Sequence, residues 1–157
     1  MYIAMLIGLM LILPVASIAL EAFVHGHAVF DAAMIGKWFV FWAVGVRLLI
    51  AGLRQILQPR YTAETILGVM DPDARVIVRE LGFANTAIGV AAIASIFFPT
   101  WTSPLAAIGA VFYGLAGISH VRQPRRNTLR SAAMVSDLFA AAVLLAACCA
   151  TKPPWLP

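Results

Sequence analysis

Charge is scarce in this chain. Asp, Glu, Lys and Arg make up 11% of its 157 residues, against roughly 25% in an ordinary soluble domain. A small soluble domain keeps a large surface that polar side chains must cover, so this scarcity argues against one. The alternative of a very apolar soluble helical domain is opposed by apolar runs long enough to cross a bilayer. The formal net charge of +4 is no signal of nucleic acid, and no nucleic-acid partner is expected. Its meaning depends on which loops carry it.

Cysteine is nearly absent as well. Cys148 and Cys149 are adjacent, and neighbouring cysteines rarely bridge each other without strain. A disulfide scaffold and a thiol relay are both disfavoured, and the pair reads as small apolar packing residues. No G-x-S-x-G, Walker or H-E-x-x-H pattern occurs, so no catalytic residue is assigned.

What the chain has instead is apolar length. Hydrophobic residues make up 62% of it, with a mean hydropathy of +0.93. Five runs stand out, at about 2–20, 36–55, 78–98, 104–120 and 131–149. Each approaches the ~20 residues that a membrane-spanning helix needs. The fourth is the shortest and could be tilted or partly interfacial. The first could pass for a signal peptide, but no positive residue precedes its apolar core. Pro14 should kink or loosen it. The sequence therefore predicts an all-α polytopic membrane bundle, one transmembrane domain of five spans.

Loop charge predicts the orientation. Arg60, Arg75 and Arg79 fall between the second and third runs, with Arg54 at the border, and Arg122, Arg125, Arg126 and Arg130 fall between the fourth and fifth. The other two connections carry no Lys or Arg up to Lys37. By the positive-inside rule the arginine-rich loops face the cytoplasm, the N-terminus with them, and the C-terminus lies outside. In a bacterium this is the inner membrane. Trp38, Trp42, Trp101 and Trp155 then gather at the outer interface, Trp155 within an extended tail, Lys152–Pro157.

The inner loop has its own pattern. Ala63, Ile66, Leu67 and Met70 recur at i, i+3, i+4 and i+7, the mark of a short amphipathic helix lying on the membrane or on a neighbouring protein. Asp71-Pro72-Asp73 is a helix start, with Asp71 at the N-cap. The third helix should run from there for about 27 residues, or ~40 Å. Small residues along it (Gly82, Thr86, Gly89) and along the fourth and fifth helices suggest a closely packed bundle.

Polar residues inside the spans are costly, and they normally face the protein interior with a partner. Arg47 lies seven residues before Arg54 on the same helix face, which makes it about 10 Å deeper. On the fifth helix Asp137 lies seven residues beyond Arg130, again about 10 Å deeper. Arg47 and Asp137 thus share a depth and should form an ion pair. Glu80 is at the level of Arg54, a second expected pair. Asn85 is near the level of Asp137, and Tyr113 and His120 share a face of the fourth helix. Arg47, Arg54, Gln55, Glu80, Asn85, Tyr113, His120 and Asp137 form the candidate cluster. It reads as a satisfied polar core that fixes register, as a pocket for a headgroup, quinone or substrate, or as a proton or ion pathway.

Other sites are weaker. Haem would need two facing histidines at one depth, and His120 is inner while His25 and His27 are outer. His25-Gly26-His27 with Glu21 and Asp31 could hold a metal, but a solvated loop with helix pairs Glu21–His25 and His27–Asp31 accounts for it. No metal site is assigned.

The strings R-L-L-I-A-G-L-R-Q (47–55), R-E-L-G-F-A-N (79–85), G-L-A-G-I-S-H (114–120) and S-D-L (136–138) resemble an uncharacterised family of small bacterial integral membrane proteins. That family is distantly similar to the DoxX-like four-helix proteins, in which an arginine also opens an apolar helix with a glycine following. The resemblance covers about residues 38–145, matches Arg47 and Gly52, and implies a four-helix core with the first helix added outside it. DoxX-like proteins are linked to quinone-coupled sulfur oxidation and membrane redox complexes. This chain has Arg54-Gln55 where the wider group commonly has a lysine, and it lacks a redox cysteine pair. The expected role is a non-catalytic binding or accessory subunit, with other membrane subunits, a second copy or lipids as partners. A quinone or bound lipid is the candidate ligand. A quinone-linked oxidoreductase component and a small transporter are the alternatives.

Overall fold

The computed structural model describes residues 2–26, 31–122 and 128–150. Among them all regular structure is helical, and five helices are long and apolar enough to cross a membrane: α1 (Ile3–His25), α2 (Ala32–Leu57), α3 (Ala74–Ala94), α4 (Thr102–Arg122) and α5 (Thr128–Ala150). His27, Arg125, Arg126 and the tail with Trp155 lie outside the described residues, as does the side chain of Arg130.

Local chemistry sets the ends. The Asp31 carboxylate accepts the Ala33 N–H at 2.9 Å, an N-cap that starts α2 ahead of the rise in hydropathy. Pro59 follows its last turn and prevents continuation. Asp71 Oδ1 accepts the Asp73 N–H at 2.9 Å, and α3 begins at Ala74. Hydropathy predicts that α3 continues to about residue 98, but the helix is 21 residues long and ends at Ala94. Phe98 precedes Pro99 and is held at φ −125°, ψ 78°, because proline crowds an α-helical residue before it. The fourth span is not short: with the 3₁₀ turn Pro99–Trp101 it is 24 residues.

Two of the long helices are interrupted by π-helical segments, Gly8–Ile12 in α1 and Val40–Val46 in α2, and these touch each other. The first lies just before Pro14, whose missing N–H would leave the Met10 carbonyl without its α-helical donor. Pro14 thus loosens α1, as the sequence suggests. The loop helix differs from expectation too. It is a π-helix, Tyr61–Leu67, stopped by Gly68 at φ 73°. Its wider turn breaks the i, i+3, i+4 stripe: Thr62 and Ala63 are buried, while Ile66, Leu67 and Met70 are exposed.

α2 is the centre of the bundle. It touches α1, α3, α4 and α5, and its Val40, Ala43 and Val44 are fully buried. α3 packs along α2 backbone to backbone, at Gly45 and Gly52 on one side and Gly82 and Gly89 on the other. α4 and α5 form a second antiparallel pair, in which Gly117 admits Leu138. α1 is not outside the core: its Met10, Ile18 and Ala22 belong to the same buried cluster as Val44, Tyr113 and Leu144.

A polar zipper holds α1 to α2 at the end opposite the arginine-rich loop. Glu21 accepts from Lys37 Nζ and from Trp38 Nε1, both at 2.5 Å, and Ser17 Oγ accepts from Trp42 Nε1 at 3.0 Å. The Glu21 carboxylate thus hydrogen-bonds across to α2, while the His25 ring meets the Glu21 main-chain carbonyl at 3.2 Å. Glu21→Gln should cost on the order of 1–2 kcal/mol, since it removes a charged acceptor shared by two donors. A lower thermal midpoint with faster proteolysis within α1 is the expected result; an unchanged midpoint would show the zipper to be idle.

Candidate functional site

The π segment of α2 ends where Arg47 begins. There the Arg47 N–H bonds to the Trp42 and Val44 carbonyls instead of to Ala43, its α-helical partner. The Ala43 carbonyl accepts from the hydroxyl of Tyr113 on α4. This bond ties α4 to α2 one turn above the arginine and places the Tyr113 ring beneath the guanidinium, whose Cζ lies 4.7 Å from the ring centre.

The Arg47–Asp137 pair is present. Arg47 Nη2 donates to Asp137 Oδ1 at 2.7 Å, with side-chain exposures of 13% and 5%. Arg47 Nη1 reaches Met10 Sδ at 3.3 Å. A charge at this depth is tolerable because its partners surround it: a carboxylate, an aromatic face and a polarisable sulfur. The register comes from antiparallel packing of α2 and α5, also seen where Gly36 meets Ala147.

His120 completes the cluster from α4. Its Nε2 is 3.8 Å from Asp137 Oδ2, beyond a hydrogen bond but within ion-pair reach if the ring is protonated. Its Nδ1 is buried without a hydrogen-bond partner, while the side chain as a whole remains 29% exposed. Arg47, Asp137 and Tyr113 have partners within the protein; His120 alone in this group presents an open face and an unused ring nitrogen.

The other expected members separate from this centre. Asn85 Nδ2 donates to Gln55 Oε1 at 2.8 Å across the α2–α3 seam. Arg54 and Glu80 do not pair. Both are exposed, and Arg54 lies over the Tyr61 ring at 4.4 Å. The seam geometry accounts for the difference. Gly52 and Gly82 face each other, and Arg54 and Glu80 each stand two positions from a seam glycine, roughly 200° around the helix and away from the contact. Gln55 and Asn85 stand three positions away, which brings them back towards it.

Met10, the Ala43 carbonyl and Tyr61 were not among the expected residues. Met10 sits at the depth of Arg47 but carries no charge to mark it, and a main-chain carbonyl has no sequence signature. Above the cluster, towards the opposite end, the core is apolar: Val40, Val44, Ala140 and Leu144 are fully buried. The candidates at the opposite end remain separate, Glu21 engaged with α2 and Asp31 capping it; the described residues contain no group of three or more His, Cys, Asp or Glu that could hold a metal.

Compared with protein-family models, with curated proteins and with solved structures, the chain finds no match.

Proposed function

We propose that this chain is a multi-pass protein of the bacterial inner membrane, with its N-terminus cytoplasmic and its C-terminus outside, that serves as a non-catalytic binding or accessory subunit of a membrane complex. Its ligand is the polar head of a lipid or a quinone, taken from the inner leaflet beside His120. Resemblance of the Arg47 and Gly52 positions to DoxX-like proteins is in keeping with a membrane complex.

The observation that carries this reading is the state of His120. Beside Arg47, Tyr113 and Asp137, which are engaged within the protein, its ring is 29% exposed, its Nε2 stands 3.8 Å from a carboxylate without a hydrogen bond, and its Nδ1 is buried without a partner. Such a ring can donate to a carbonyl or accept from a hydroxyl, which are the polar groups of a quinone, a quinol or a glycerolipid. The fully buried apolar layer of Val40, Val44, Ala140 and Leu144 above it favours one-sided binding over transport.

Extraction of the purified protein with organic solvent, followed by chromatography for quinones and phospholipids, tests the proposal. Wild type should retain a ligand in stoichiometric amount. His120→Ala should lose it with helicity and thermal midpoint unchanged. Equal retention by wild type and His120→Ala, or no retained ligand in either, would sink the reading.

A further inference from the structure

A second polar site lies at the membrane end of α2, apart from His120. The last turn of α2 leaves three apolar residues uncovered on one stripe: Ile50, Leu53 and Leu57 are 42%, 43% and 75% exposed, at the i, i+3, i+7 spacing of one helix face. The stripe runs into an open groove lined by Gln58, Arg60, Tyr61, Glu64 and Thr65. Arg54 stands at its edge with its guanidinium over the Tyr61 ring.

The charge of this groove is positive and partly unspent. Glu64 is its one carboxylate, and it already takes Arg60 at 3.0 Å and Arg75 at 2.7 Å. The hydrogen bonds from Arg60 and then Arg75 hold its carboxyl below the usual glutamate range, so it stays ionised and occupied. Arg54 has no ion-pair partner among the described residues. Its contact with Tyr61 fixes the direction of the guanidinium and leaves its charge uncompensated. The end of the short helix and the residues after it, with Ile66, Leu67 and Met70 exposed, offer apolar side chains to the same interface.

We infer that this groove seats the phosphate of an anionic phospholipid, with an acyl chain lying along Ile50, Leu53 and Leu57. Arg54 and Arg60 take the phosphate oxygens, and Gln58 and Tyr61 line the same groove for the glycerol or headgroup hydroxyls. The apolar stripe selects a lipid over a free anion: it would have no role in binding inorganic phosphate, whereas it meets the polar groove where a phospholipid changes from chain to headgroup. The inference rests on the chain spanning a membrane and is independent of what His120 binds.

The test is native mass spectrometry of the full-length protein, titrated with phosphatidylglycerol, with phosphatidylcholine of the same chains, and with inorganic phosphate. At about fivefold per arginine beside an anionic headgroup, Arg54→Gln should lower the preference for phosphatidylglycerol about fivefold, and Arg54→Gln with Arg60→Gln about 25-fold. Arg54→Lys should keep most of it. Arg79→Gln removes an exposed arginine of α3 outside the groove and should leave the preference intact. Inorganic phosphate should not displace the lipid. An unchanged preference in the Arg54 and Arg60 variants overturns the site. So does an equal loss in Arg79→Gln, which would mean general attraction to a basic surface. Full competition by inorganic phosphate would replace a lipid seat with an anion site.

Discussion

Asp137→Asn should destabilise the bundle by roughly 3–5 kcal/mol, the range found when one partner of a buried ion pair is removed. The substitution preserves the shape of the side chain and one acceptor oxygen, so what it deletes is charge. Arg47 would keep Met10 at 3.3 Å and the Tyr113 ring at 4.7 Å. Neither carries a countercharge, and its side chain is only 13% exposed. Folded yield in detergent and the thermal midpoint should both fall. The double variant Arg47→Met, Asp137→Leu should recover most of the loss, since an apolar pair of similar volume often matches or exceeds a buried ion pair in stability. Normal yield and midpoint for Asp137→Asn would show that the pair does not hold the bundle. The double variant also separates stability from function. If it folds but no longer retains the ligand proposed beside His120, the pair belongs to the binding site as well as to the scaffold.

The Arg47–Asp137 contact was legible in the sequence for a simple reason. Depth in a bilayer is set by a constant rise per residue, so two intramembrane charges at equal distance from an arginine-marked boundary are brought to one level. Depth alone does not give azimuth. Glu80 and Arg54 share a level but point away from the α2–α3 contact, because the glycines occupy the facing positions; Gln55 and Asn85 point towards it. The pattern that decides between them, Gly45 and Gly52 against Gly82 and Gly89, is visible in the sequence as small residues at a spacing of seven. Which helix each row faces emerges only from packing. The π segments were less legible still. Pro14 gives a local reason for the first, but Val40–Val46 is uninterrupted apolar sequence. Its widening accompanies a tertiary bond, the Tyr113 hydroxyl on the Ala43 carbonyl. Such widened turns are frequent at functional positions, and this one leads directly into Arg47. The ends of α3 illustrate a third limit. Hydropathy runs on through Phe97 and Phe98, and the backbone rule imposed by Pro99 overrides it.

The glycine seam is the other place where a small change should have a large effect. A Cβ on Gly52 would lie 2.6 Å from the Thr86 nitrogen and 2.7 Å from the Gly82 oxygen, and one on Gly89 would lie 2.6 Å from the Leu49 nitrogen. These neighbours are backbone atoms, so no rotamer change relieves the overlap and α3 must move off α2. In lipid the helices are held by close packing and by polar contacts, without a hydrophobic effect to restore them once separated. The same displacement would strain the Gln55–Asn85 hydrogen bond, made three positions along from Gly52 and Gly82. Gly52→Ala should therefore cost at least the ~1–3 kcal/mol of an overpacked core, and Gly52→Ala with Gly89→Ala should release α3 from the bundle. Gly8→Ala is the matched control, since a Cβ there meets nothing within 4 Å and alanine is the better helix former. Thermal midpoints in one detergent, with cysteine accessibility of an Ala92→Cys reporter on the buried face of α3, would read both effects. A Gly52→Ala protein as stable as Gly8→Ala, with the reporter still protected, would show that α2 and α3 tolerate a wider spacing. The α2–α3 contact would then be a loose one, and the register that faces Gln55 to Asn85 would have to come from elsewhere in the bundle.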